Sequence, residues 1–269
     1  MTTASPVGRL SVRVLALGYL ALLLLVPIGV VLYRTFEPGL GEVWDSITTP
    51  AAVSAFWLTI ELAAIAVPLN TIFGIVAALV LVRSRVRGKW LLQAFIDLPF
   101  AISPVVIGLA LFLLYGRQGW LGPTLTDAGI QIIFSVPGMV LATIFVCLPF
   151  VVREVAPVLR EIGDEQEQAA ATLGASRWQT FRRITLPAIR WGVAYGVVLS
   201  TARAIGEFGA VSVVSGKISG ETVTLPLLVE NRYSNFDLSG AYAASALLAV
   251  IALATLLAMT LLQRKGDPR

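Results

Sequence analysis

Six apolar stretches, each long enough to cross a bilayer as a helix, govern what this chain can fold into. They cover approximately 12–33, 56–82, 92–115, 136–157, 191–215 and 240–262. About 20 mostly apolar residues span the hydrocarbon core as a helix. With no water there to bond the backbone, a helix satisfies its own N–H and C=O groups. The expectation is an all-α, multi-pass integral membrane protein, with residues 1–269 forming a single transmembrane domain. Composition agrees, because 57% of the chain is hydrophobic and only 13% charged, whereas soluble domains carry about 25% charged residues. The first stretch follows Arg9 and Arg13 as a signal peptide would. It stays apolar to Tyr33 with no small-x-small cleavage site, so it reads as a retained helix.

Charge then sets the expected orientation. Lys and Arg collect in short cytoplasmic segments. Placing both termini inside puts 15 of the 20 basic residues on that side, among them Arg83, Arg85, Arg87 and Lys89. Arg34, Arg117, Lys217 and Arg232 fall outside, and Arg203 lies within a span. Both termini are therefore expected to be cytoplasmic. The net charge of +4 is accounted for by this asymmetry and calls for no nucleic acid. The Arg83–Lys89 cluster reads as a stop-transfer loop rather than a lipid-binding site.

The sequence offers little to catalysis. It has no histidine, which removes His-based acid–base chemistry, the Ser-His-Asp triad and the HExxH zinc site together. Its one cysteine, Cys147, lies inside an apolar run, so neither a disulfide nor a CxxC metal pattern is available. No GxxxxGK[S/T] phosphate loop occurs; Gly216-Lys217 is followed by Ile218. A non-catalytic chain is expected.

Two polar features stand out. Between the fourth and fifth stretches runs a polar segment, 160–190. Asp164 suits a helix N-cap, with Glu165 and Glu167 in the first turn. Ala169, Ala170 and Ala171 favour helix, and Gly174 can close it in a left-handed cap. A second helix is expected from Ser176 towards Ile184, with Pro187 stopping or redirecting the chain. This hairpin could insert into a groove on a partner, or lie on the membrane surface through Trp178, Phe181 and its arginines. The residues alone leave both readings open.

The second feature is Arg203 and Glu207, one helical turn apart in the fifth stretch. An arginine at a bilayer centre costs about 2.5–3.5 kcal/mol on insertion scales and must face something polar. On a continuous helix, Thr201, Ser212 and Ser215 share its half of the circumference. These residues line a path for a tetrahedral oxyanion, whose charge and fork geometry a guanidinium matches, or Arg203 and Glu207 form an internal ion pair. Beside Glu207, only Glu61 is read as lying deep within a span.

Gln168-Ala169-Ala170, three residues, Gly174, nine residues, then Ile184-x-Leu186-Pro187 resembles the EAA loop of ABC importer permeases, E-A-A-x-x-x-G-x9-I-x-L-P. It departs only at the first position, where Gln168 replaces the glutamate. Arg203 to Val211, Val214 to Thr222, Leu225-Pro226-Leu227 and Leu98 to Gly108 are similar to sulfate/thiosulfate permeases, in particular their W-type subunits. Molybdate and tungstate permeases are close relatives. The resemblance implies a type I importer permease fold of six transmembrane helices in the bacterial inner membrane. It implies that Gln168, Ala169, Ala170, Gly174, Ile184, Leu186 and Pro187 couple to ABC ATPase subunits, where ATP-Mg binds, this chain holding no cofactor. It further implies a second, related permease subunit in a heterodimer. A periplasmic or lipid-anchored sulfate-binding protein would meet the outer segments 119–135 and 216–239. A different class, an ion-coupled secondary anion transporter, would show internal repeats and coupling carboxylates; no convincing repeat is present.

Overall fold

The computed structural model describes residues 6–266, which form helices and connecting turns with no strand among them. Three long helices make the centre. α3, Pro50–Arg83, starts cleanly because Pro50 pre-sets the first turn and the Thr49 side chain accepts from Ala52 N. α7 spans Val136–Glu161 and α10 spans Leu186–Ile205. Between apolar helices in lipid, close packing rather than water exclusion drives association, so small residues mark the contacts. A Cβ on Gly74 of α3 would stand 2.6 Å from Val151 Cβ, and one on Gly196 of α10 would stand 2.8 Å from Val151 Cα. Val151 of α7 is thus gripped from both sides. Asn70 Nδ2 donates to Ile144 O at 3.1 Å across the parallel α3–α7 pair. Cys147 faces the Ser200 carbonyl across the antiparallel α7–α10 pair.

Around this centre, α13, Leu238–Gly266, packs on α10, and α1, Pro6–Phe36, lies along α13. From Val14 to Phe36 nearly every side chain of α1 is exposed; Thr35, buried, donates to Tyr242 O at 3.1 Å. Short helices close the end far from the Arg83–Lys89 cluster: α2, Leu40–Ile47, and α12, Leu225–Ser234. Arg232 clasps that end together. Its Nη2 donates to Ser46 O and Thr49 Oγ1, both at 2.9 Å, and its Nη1 to Gly240 O at 3.0 Å.

Two of the expected spans are not continuous helices. The stretch expected over 92–115 divides into α4, Lys89–Ala101, and α5, Pro104–Tyr115, bent by 111°. A proline disfavours helical backbone in the residue before it; Ser103 is accordingly at φ −58°, ψ 136°, and Ile102 is extended. The stretch expected over 191–215 divides at Gly206–Phe208, where α10 gives way to α11, Gly209–Val214. The two breaks face one another. A Cβ on Gly209 would meet Pro104 Cβ at 2.8 Å, and one on Gly108 would meet Ala210 O at 2.6 Å. Among the described residues four helices are long and apolar enough to cross a membrane, five if α4 and α5 count as one span. A short helix α6, Gly122–Asp127, completes the connection between α5 and α7.

Candidate functional site

The polar segment after α7 folds into a projection at the basic end of the bundle. α8 covers Glu165–Thr172 and α9 covers Arg177–Thr180. Asp164 occupies the N-cap position of α8, but its side chain makes no capping bond, so the expected cap is absent. The other end behaves as its glycine requires. Gly174, at φ +80°, lets Gly174 N bond Ala171 O at 3.1 Å and Ala175 N bond Ala170 O at 3.0 Å, a Schellman closure. Ser176 then opens α9 with a full capping box, its Oγ accepting from Gln179 N and its N donating to Gln179 Oε1 at 2.8 Å.

Pro187 does not stop the chain. Lacking an N–H, it cannot bond the Arg183 carbonyl one turn earlier. The helix passes it by widening into a π turn over Phe181–Thr185, closed by Leu186 N bonding Phe181 O, and continues as α10. Such bulges absorb a missing bond without ending a helix. The second helix of the projection is therefore mechanically continuous with a central helix of the bundle.

Glu167 fixes the first helix to that continuous rod. Its Oε2 takes Arg83 Nε at 2.9 Å from the end of α3, and its Oε1 takes Thr185 Oγ1 at 2.8 Å from the π turn. Arg83 also donates to Leu159 O at 3.0 Å and to Gly163 O. One carboxylate thus joins α3, α8 and the start of α10. The partners lie 84 and 18 positions away, so no local pattern announced them, and Arg83 read as one charge of a loop cluster. Gln168 and Ala169 are exposed and Ala170 is half-buried. Gly174 and Ile184 share one groove of about 270 Å³ with Leu173 and Gln179. Leu186 packs back against the bundle core, while Pro187 is exposed. Leu173 and Trp178 are bare at 88% and 65% exposure.

The second region lies at the break of α10. Glu207 is 2% exposed, and its Oε1 accepts from Ala210 N at 2.8 Å, anchoring the first turn of α11. Its Oε2 meets Arg203 Nη1 in an ion pair, with the Arg203 side chain 30% exposed. The break overturns the single helical wheel drawn from 191 to 215. Thr201 Oγ1 donates to Val197 O at 2.7 Å and Ser212 Oγ to Gly209 O at 2.8 Å, so both hydroxyl protons are committed to neighbouring carbonyls. Ser215 is buried, its Oγ accepting from Lys217 N at 3.2 Å.

A third charged pair went unread in the sequence, where Arg153 counts among the 15 inside basic residues although it falls within the expected span 136–157. Asp97 of α4 pairs with Arg153 of α7, receiving Nη2 at 2.8 Å and Nε at 3.1 Å on Oδ1, while Gln93 Nε2 donates to Oδ2 at 2.7 Å. The Arg153 guanidinium also rests 4.2 Å from the centre of the Phe100 ring. Glu61 is thus not the only further carboxylate deep in an expected span, and it stands exposed on α3. The available signal was Asp97 itself, a lone acid between Ile96 and Leu98, where a charge is costly. Among the described residues no group of three His, Cys, Asp or Glu is arranged to hold a metal.

The sequence profile of the "binding-protein-dependent transport system inner membrane component" family matches residues 70–269. The chain is 53% identical to the sulfate transport system permease protein CysW of Synechocystis sp., over 93% of this chain and 91% of that protein. It is 50% identical to CysW of Escherichia coli K12, over 90% and 84% of the two chains. Its fold matches a chain of a solved bacterial alginate ABC transporter, crystallised with an alginate-bound periplasmic protein, at a TM-score of 0.79 and 20% identity, covering 96% and 95% of the two chains. The all-helical fold is that of ABC importer permeases, and the protein is a multi-pass component of the inner membrane. The chain belongs to the family of binding-protein-dependent transport system inner membrane components.

Proposed function

We propose that this chain is one membrane-spanning subunit of an ATP-driven sulfate or thiosulfate importer and works as a non-catalytic permease. The observation that carries the reading is the projection, whose second helix runs unbroken into α10 and whose first is tied through Glu167 to α3. A body docked against Leu173 and the Gly174 groove would move both central helices when it moves. The substrate class rests on relatives about half identical along some nine-tenths of the chain, all bearing sulfate permease names.

In this reading the chain crosses the membrane six times, α4 with α5 and α10 with α11 serving as broken spans, and both termini are cytoplasmic. Irregular backbone at membrane depth is tolerated where it is buried in protein or lines a wet cavity, which suits breaks beside a path. ATP and Mg bind to separate ABC ATPase subunits that grip the projection. A second, related permease completes the path, and a periplasmic or lipid-anchored binding protein delivers the anion to the far end, as the family's name implies. Arg203 faces the passing oxyanion with Thr201 near it on α10, while Ser212 and Ser215 lie beyond the break and Ser215 is buried. Glu207 partly neutralises Arg203, so the anion is held weakly and released.

The test is uptake into proteoliposomes holding the complete transporter with its binding protein. Radiolabelled sulfate should accumulate only with ATP, and excess thiosulfate should compete better than molybdate or tungstate. Stronger competition by molybdate would reassign the substrate. Accumulation driven by an ion gradient without ATP would replace the mechanism with a secondary transporter.

A further inference from the structure

Arg153 and Asp97 sit where charge is hard to place. Arg153 is six positions before Leu159, whose carbonyl receives Arg83 at the basic end of the bundle. At 1.5 Å per residue it therefore lies about 9 Å inside that end. Its side chain is 52% exposed and that of Asp97 33%. A guanidinium at such depth faces protein or a water-filled route, or reaches along its stem to the interface. The ion pair with Asp97 turns this one towards protein.

The arrangement around it is asymmetric. Asp97 is held from its own helix by Gln93, so the carboxylate is the fixed partner. Arg153 is the adaptable one, with its guanidinium carbon over the Phe100 ring and two nitrogens on one carboxylate oxygen, leaving Nη1 with no acceptor among the described residues. Phe100 is itself set edge-on against Phe150, 5.5 Å between centres, which steadies the ring beneath the cation. A guanidinium so placed keeps an open edge and an open face for an incoming tetrahedral oxyanion.

Its height in the bundle is also informative. Ser200 of α10 stands level with Cys147 of α7. Along this antiparallel pair, Arg203 then stands level with about position 144, and Arg153 lies about 14 Å closer to the basic end. Two arginines, each paired to a carboxylate, thus stand at different heights along the bundle.

Building on the functional reading above, we infer that Arg153 is a second anion-binding station, between the Arg203–Glu207 pair and the cytoplasm. The anion takes the open side of Arg153 as it leaves Arg203. Asp97, fixed beside it, competes for the guanidinium and repels the dianion, so the stay is brief and release is inward. Arg153 touches the cargo, while Asp97 tunes how long it stays.

The test is ATP-driven sulfate uptake by the complete transporter carrying R153Q, D97N or both, with assembly checked by co-purification. R153Q is expected to lower uptake at least tenfold while ATPase stimulation by the loaded binding protein persists. D97N is expected to slow turnover and lower the sulfate concentration giving half-maximal rate. The deciding variant is the double, R153Q with D97N. If the pair only balances charge, removing both members leaves no unpaired charge, and uptake returns to near the wild-type rate; that result would overturn the inference. Uptake of the double at a tenth of wild type or below, in an assembled complex, supports it. Loss of ATP-driven sulfate uptake in the wild type would instead refute the functional reading, and this inference with it.

Discussion

At the scale of single residues, Glu167 has the widest structural reach in the projection. It is only 19% exposed on its side chain, as is Arg83, and it satisfies donors from two other elements. Glu167→Ala should loosen the projection by about 1–2 kcal/mol, the worth of hydrogen bonds to a charged group in partly solvated surroundings. The measurement is the rate at which a protease cuts between residues 161 and 186 in detergent. Faster cutting with the rest of the chain intact is expected; an unchanged rate would mean that Arg83 holds the loop through the Leu159 and Gly163 carbonyls alone. The neighbouring Gln168, where the loop departs from the family pattern, is exposed and makes no side-chain hydrogen bond among the described residues, so Gln168→Ala should leave that rate unaltered. Spacing pointed to Gln168 as the reference position of the loop, while the acid that ties the loop down stands one residue earlier. Sequence distance hid it. Distance likewise hid the pairing of Arg153 with Asp97, 56 positions apart, although Asp97 stood out as a lone acid in an apolar run.

At the scale of elements, hydropathy located the long helices well because it measures what lipid demands of them, and α3 and α7 coincide with two of the expected stretches. It could not show where such a run bends. Pro104 disfavours helix at Ser103, yet Pro68 and Pro149 lie inside unbroken helices. At Gly206–Phe208 the sequence carries no proline; the two breaks also pack against one another. Pro187 misled in the opposite direction, since one widened turn carries the helix past it. Helix contacts were equally invisible. Val151 is pinned between Gly74 and Gly196, and Gly196→Ala puts a methyl group 2.8 Å from Val151 Cα, against backbone that cannot rotate away. Overpacking of this kind costs about 1–3 kcal/mol. The thermal midpoint of the detergent-solubilised complex should fall by several degrees. Gly29→Ala on α1, with nothing within 4 Å of the added carbon, is the matched control and should leave the midpoint unchanged.

At the scale of the whole molecule, the charged pairs stand at three successive heights along the bundle. The Arg203–Glu207 pair lies at one break, the Asp97–Arg153 pair lies nearer the basic end, and the Arg83–Glu167 link sits where the projection leaves the bundle. A force applied at the projection reaches α10 through the continuous π turn and α3 through Glu167. Both helices carry it towards the level of the paired arginines. This is a physical account of how an ATPase docked outside the membrane would move groups inside it, and it depends on the projection being the docked surface. Leu173, 88% exposed at the Gly174 groove, reports on that surface directly, and the protein's single cysteine, Cys147, is buried and gives little background. In the transporter assembled with its ATPase subunits, Leu173→Cys should react with a membrane-impermeant thiol reagent at least tenfold more slowly than after the ATPase has been stripped away. Equal labelling in the two states, with ATP-driven uptake intact, would contradict the account.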